Sequence, residues 1–291
     1  MKIFVVTKKT LYIAAAVIIL LTAAVIAVAV SAKGREKSSA PTSVEPAEQN
    51  DGSLTGTDGS ELISAEECYE VEVLAGFKKE LPVYSVSRDD KKIALTIDAA
   101  WDDDKTPFIL STLERYGIKA TFFLCGVWVD AYPEQVKAIS DAGHSIGNHS
   151  QTHPHMTKIS EERIVEELRV LDDSLERITG KRSKLFRAPF GEYNDRVILT
   201  VRSAGYEPIQ WDIDTIDWKP ERSSQTILDT VLNKLHDGAI ILCHNNGYKI
   251  EEYLPTLIET AIARGYSFVT VDELLLKGET MIDVNGVQKL K

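Results

Sequence analysis

Cysteine is scarce in this chain of 291 residues: Cys68, Cys125 and Cys243 are all there is. The number is odd and the spacing irregular, so neither a disulfide framework nor a cysteine-based zinc finger is available. Basic residues are also in deficit. Lys and Arg number 33 against 44 Asp and Glu, for a formal net charge of −11. No basic stripe exists to meet phosphates, which argues against a nucleic-acid partner. Internal repeats are absent as well. What remains is ordinary for a globular protein: 44% hydrophobic and 26% charged residues, enough for about one large domain.

One long apolar run stands out. "LYIAAAVIILLTAAVIAVAVSA", residues 11–32, carries no charge. As a helix it would extend about 33 Å, enough to cross a hydrocarbon core of roughly 30 Å. A cleaved signal peptide has an apolar region of only about 7–15 residues, so the run reads as a transmembrane signal-anchor. "AVAVSA" offers small-residue cleavage sites, which would instead give a secreted protein. Lys2, Lys8 and Lys9 precede the run and Lys33, Arg35 and Lys37 follow it, so flanking charge does not set the orientation. The following stretch, rich in Ser, Thr, Gly, Pro and acids, buries little and reads as a tether. The expected order is a short tail (1–10), the anchor (11–32), a flexible linker (33–66), one domain (67–277) and a C-terminal tail (278–291). This is the plan of a single-pass cell-membrane protein with an extracytoplasmic domain, taken as a monomer.

Within the domain, strand-length apolar runs alternate with helical patterns. The runs are "KIALTID" (92–98), "KATFFLCG" (119–126), "HSIGNHS" (144–150), "KLFRAPF" (184–190), "EPIQWDID" (207–214), "AIILCHN" (239–245) and "SFVTVDEL" (267–274). The clearest helix has Ser160 as N-cap, Ile164, Leu168, Leu171, Leu175 and Ile178 on one face, and Gly180 as its stop. Seven strands with intervening helices predict an α/β fold with a parallel sheet, closed as a barrel or open. Sites in both architectures lie beyond the C-terminal strand ends. Polar residues fall where the apolar runs stop: Asp98, His149, His153, Arg187, Asp214, Asp217, Trp218 and His244.

"HSQTH" places His149 and His153 four residues apart. Two imidazoles and a carboxylate are a common donor set for a catalytic divalent metal with an open position. Four acids crowd the end of the first strand: Asp98, then Asp102, Asp103 and Asp104. His144, His155 and His236 fall outside every pattern and are assigned no role.

Five ordered motifs, "TIDAA", "HSQTH", "RAPFG", "DTIDW" and "LCH", span about residues 90–275. In that order they resemble the polysaccharide deacetylases of carbohydrate esterase family four, the NodB homology domain. The resemblance implies a distorted (β/α)7 barrel and metal-dependent removal of N-acetyl groups from an N-acetylglucosamine-type polysaccharide, with peptidoglycan the natural wall substrate. The metal it implies is Zn²⁺, with Co²⁺, Mn²⁺ or Ni²⁺ as alternatives.

By the same resemblance, Asp98 is the general base and Arg187 holds it ionised. His244 is the acid and Asp217 its partner. The backbone N–H of Phe190 faces the oxyanion, and Trp218 and Leu242 line the acetyl pocket. The chain departs from the family at Ala99, where the pattern has a second Asp that binds metal. It is closer there to the PdaB-like, sporulation-associated branch, in which a polar residue further along takes that role. Asp103 is the expected ligand beside His149 and His153, with Asp102 and Asp104 as alternatives. Ala99 also opens a competing reading, a non-catalytic glycan-binding module that has lost its metal.

Overall fold

The computed structural model describes residues 79–102 and 105–291. The segment expected to span the membrane (11–32), the linker (33–66), Asp103 and Asp104 lie outside the described residues. Among the described residues no helix is long and apolar enough to cross a membrane.

In chain order the elements are β1 (Ser85–Val86), β2 (Lys92–Ala99), α1 (Thr106–Arg115), β3 (Thr121–Leu124), α2 (Gly126–Ala131), α3 (Pro133–Asp141), β4 (Ser145–Asn148), α4 (Glu161–Thr179), β5 (Leu185–Phe186), α5 (Asp195–Ser203), β6 (Glu207–Pro208), β7 (Ile213–Asp214), α6 (Ser224–Lys234), β8 (Ile240–His244), α7 (Ile250–Ala263), β9 (Ser267–Phe268), α8 (Val271–Leu274), β10 (Thr280–Ile282) and β11 (Val287–Leu290). The main sheet runs β6-β5-β4-β3-β2-β8-β7, with β9 added to β2, and every ladder in it is parallel. This is a barrel-like α/β fold, open at one seam.

The seam explains where the expected strands differ. "EPIQWDID" is two strands, not one: β6 pairs with β5 and β7 pairs with β8, at opposite ends of the strand order. Between them Ile209 bridges Val83. One apolar run therefore serves both edges of the sheet. "SFVTVDEL" also changes type midway. Thr270 and Glu273 form a reciprocal capping box, so Val271–Leu274 turns into helix rather than continuing the strand. The segment expected as a C-terminal tail, 278–291, is built into the fold. β10 and β11 pair antiparallel, and β11 adds in parallel to β1.

Strand alternation sorts the core into two layers. Leu95, Ile97, Ile241 and Cys243 point toward the helices and pack with Ile109, Leu113, Leu254 and Leu257. Cys243, adjacent to His244 in sequence, is thus fully buried packing. The opposite face of β2 and β8 carries Ala94, Thr96, Asp98, Leu242 and His244, because side chains alternate along a strand. Ala94 and Ile240 join Phe123 and Val83 in the interior cluster. Helix α4 forms as its sequence requires: Ser160 Oγ accepts from Arg163 N–H, and Gly180 ends it at φ 74°. Its residues Ile164, Leu168, Leu171 and Leu175 are buried.

Candidate active site

Parallel register brings the first two groups together. Asp98 on β2 stands opposite His244 on the neighbouring β8. Asn148 at the end of β4 stands opposite Phe186 at the end of β5, so His149 and Arg187 follow side by side. Arg187 is fully buried. Its Nη1 donates to Asp98 Oδ1 at 2.7 Å and Thr96 Oγ1 at 2.8 Å, and its Nη2 donates to the Gln210 carbonyl at 2.9 Å. The Phe123 and Trp211 rings flank its guanidinium, 4.1 and 5.3 Å from their centroids. A guanidinium so tethered is a fixed charge directed at one carboxylate.

That charge decides the protonation of Asp98. Burial pushes the carboxyl up, but neighbouring positive charge, the Arg187 guanidinium foremost, outweighs it and holds the group below its ordinary value. The carboxylate is ionised and hydrogen-bonded, as a general base must be. His244 is tuned in the opposite sense. Burial disfavours its imidazolium, yet the Asp217 carboxylate outweighs burial and raises the group. Asp217 Oδ1 accepts from His244 Nδ1 at 2.8 Å, and Oδ2 accepts from the His244 N–H at 3.1 Å and from Tyr253 O–H at 2.6 Å. A carboxylate whose ionised form is favoured and an imidazole whose protonated form is favoured thus face each other across adjacent strands. This is the pattern of acid–base catalysis.

The two histidines of "HSQTH" leave β4 on a turn, with Ser150 at φ 64° and His153 at φ 57°. Their ring centroids are 5.0 Å apart. His149 Nδ1 donates to the Arg187 carbonyl at 2.8 Å, which leaves the lone pair on Nε2. Nε2 lies 3.7 Å from Asp98 Oδ2, one acceptor facing another. His153 Nδ1 is buried with no hydrogen-bond partner. Burial lowers His149, and burial with its neighbour His149 lowers His153 to about 4, so both rings are neutral at neutral pH. Two neutral imidazoles, one of them with its lone pair facing a carboxylate and the other with an unpartnered buried nitrogen, are donors of the kind that suit a divalent cation. Asp102 is exposed, and its backbone carbonyl accepts from Trp128 Nε1 and Asn245 Nδ2, each at 2.6 Å. Among the described residues no group of three or more His, Cys, Asp and Glu is arranged to hold a metal.

Asp98, His149, His153 and His244 open into a cleft of about 490 Å³, walled by Trp101, Phe190, Trp211, Trp218, Leu242 and Asp214. That volume suits a small polar ligand ringed by apolar walls. Trp218 and Phe190 are 54% and 55% exposed, whereas Leu242 is buried at the cleft floor. Phe190 sits at φ 60°, ψ 5°, a left-handed conformation that costs a non-glycine residue about 1–3 kcal/mol. Of Trp101, Trp128 and Tyr193, Trp101 lines the cleft. Trp128 is buried, and Tyr193 hydrogen-bonds the Tyr84 hydroxyl at 2.7 Å.

Sequence reasoning missed several supports. Thr96, Gln210 and Trp211 position Arg187, and Tyr253 on α7 binds Asp217; no motif spacing connects Tyr253 to the site. Asp214, at a strand end in "DTIDW", was visible but had no partner to give it a role. Gly247 is a steric necessity, since a Cβ there would lie 2.2 Å from Asp217 Oδ2. Gly191, at φ 67°, is a second, because a Cβ would meet the Trp211 ring at 2.9 Å.

A parallel barrel-like sheet that gathers a buried carboxylate, its guanidinium partner and three histidines beyond its strand ends is an arrangement suited to acid–base hydrolysis. Residues 85–209 match the polysaccharide deacetylase family. Over 199 residues the chain is 32% identical to the peptidoglycan-N-acetylmuramic acid deacetylase PdaA of Bacillus subtilis, covering 67% of this chain and 76% of that one. The Bc1960 peptidoglycan N-acetylglucosamine deacetylase is 32% identical, with a TM-score of 0.63 over 66% of this chain and 91% of that one. BA3943, a CE4 family pseudoenzyme from Bacillus anthracis, is 35% identical, with a TM-score of 0.64 over 66% of this chain and 68% of that one. The chain belongs to the polysaccharide deacetylase family, and its reaction class is hydrolysis of carbon–nitrogen amide bonds.

Proposed function

We propose that this chain is a metal-dependent deacetylase of N-acetylated sugars in peptidoglycan, anchored by residues 11–32 with its domain at the outer face of the membrane. The observation that carries the reading is the opposed tuning of Asp98 and His244 over one cleft. Asp98 accepts the proton of the attacking water, and Arg187 keeps it ionised while that happens. His244 protonates the departing sugar nitrogen as the carbon–nitrogen bond breaks, yielding acetate and a free amine. Asp217 and Tyr253 hold His244 in place. The Phe190 N–H faces the developing oxyanion, and Trp218 and Leu242 enclose the acetyl methyl. His149 and His153 would hold Zn²⁺, or Co²⁺, Mn²⁺ or Ni²⁺, which supplies Lewis acidity, bringing the pKa of water to about 7 and polarising the acetyl carbonyl. Asp103 is our choice for the third protein ligand.

The test is acetate release from peptidoglycan and from N-acetylglucosamine oligomers after chelation, with and without added Zn²⁺ or Co²⁺. Release restored by metal is expected. No release from any of these glycans by the metal-loaded protein would sink the reading. A non-catalytic glycan-binding module is the second reading, favoured by Ala99 and by the similarity to BA3943. It requires that the purified domain bind glycan, carry no metal at this site and release no acetate.

A further inference from the structure

Two loops shape the histidine side of the cleft. One carries His149, His153 and His155 beyond β4, and the other carries Arg187, Phe190 and Glu192 beyond β5. They run side by side and are tied at three successive rungs. His149 Nδ1 donates to the Arg187 carbonyl at 2.8 Å. The His153 and Phe190 rings meet edge to face, with centroids 4.5 Å apart. His155 stacks on Phe190 at 4.5 Å and 20°, and its Nδ1 hydrogen-bonds Glu192 Oε2 at 2.7 Å. A carboxylate accepts only, so His155 carries its proton on Nδ1 and its ring plane is set from both ends. The rung is anchored below as well. Met156 is fully buried against Phe186 and Ala188, and the His155 carbonyl accepts from Lys158 N–H at 2.9 Å.

Phe190 needs such a holder. It is a bulky residue in a left-handed conformation, and it is more than half exposed, so core packing does not impose that conformation. An aromatic stack is of the same order as the strain it must offset. We propose that His155 and Glu192 are a positioning pair that holds Phe190 left-handed and so fixes this wall of the cleft and the direction of the Phe190 N–H. The catalytic consequence rests on the deacetylase reading, whereas the structural one does not.

A crystal structure of His155→Ala tests the proposal without reference to catalysis. Phe190 is expected to leave the region of positive φ or to lose its ordered density. Phe190 unchanged in φ and in order would overturn the proposal. Kinetics on the metal-loaded full chain add the second readout. His155→Ala should lower kcat about tenfold with KM altered less than twofold and metal content equal to the parent's. His155→Phe, which keeps the stack, should recover most of that loss, and Glu192→Gln should fall between. A kcat for His155→Ala within twofold of the parent, or a loss that His155→Phe fails to recover, overturns the catalytic role. A parent without activity, together with a displaced Phe190, refutes the deacetylase reading and leaves the positioning pair standing.

Discussion

Gly247→Ala tests the acid half of the site with a single methyl group. The backbone at Gly247 is outside the left-handed region, so alanine meets no conformational penalty there. The obstacle is steric. Its Cβ would sit 2.2 Å from Asp217 Oδ2 and 2.7 Å from Asp217 Cγ. Carbon atoms pack at about 3.5–4.0 Å, so something must move by about 1 Å. Asp217 is fully buried and accepts three hydrogen bonds, two of them from His244. A shift of that size breaks at least one, at about 1.5–3 kcal/mol for a bond to a charged group. General acid catalysis contributes about 10²–10⁴-fold, so kcat should fall on the order of 10²-fold. The pH profile should change as well. His244 must be protonated to donate, and Asp217 raises it above its ordinary value. Weakening that pair lowers the pKa, so the alkaline limb of kcat moves to lower pH. The assay is initial-rate acetate release from N-acetylglucosamine oligomers across pH. A variant within threefold of the parent with an unmoved alkaline limb would refute the role given to Asp217 and His244.

Three further outcomes are expected. The double variant His149→Ala, His153→Ala should lose bound metal and activity together, measured by metal analysis and acetate release; one metal still held tightly at this site would show the ligands misassigned. Asp98→Asn should keep its metal but lose at least about 10²-fold in turnover, since an amide cannot accept the proton of water. Arg187→Met leaves the Asp98 carboxylate buried without its partner, so denaturant unfolding should show a loss of about 3–5 kcal/mol. The acidic limb of the same variant should rise, because the guanidinium that lowers Asp98 is gone.

Much of the site was legible because its chemistry is local. "HSQTH", "RAPFG" and "LCH" sit where apolar runs end, and parallel strands deliver such ends to one rim whatever the intervening helices do. The helix at 161–179 was legible for the same reason: cap, apolar stripe and stop are all written within one stretch. Alternation along β8 was enough to send Cys243 into packing and Leu242 into the cleft.

Only the tertiary structure decided what depends on partners distant in the chain. "EPIQWDID" reads as one strand by composition, yet its two halves pair with opposite edges of the sheet, and no local signal marks that seam. Val271–Leu274 reads as strand until Thr270 and Glu273 close a cap. Residues 280–290 look like a tail because the parallel partner of β11, β1, lies about two hundred residues earlier, as in the pairing of Ser85 with Val287. The pairing of Arg187 with Asp98 was expected from the motif, but its Thr96, Gln210, Phe123 and Trp211 partners, which come from three other segments, were not. His155 carried no motif and gained its place only when the loops beyond β4 and β5 aligned. Local pattern determines which residues can form an element and where its ends fall. Which ends meet, and hence which charges shift one another, is set by strand order and register, because hydrogen bonds and Coulomb interactions depend on distance in space and not on separation in sequence.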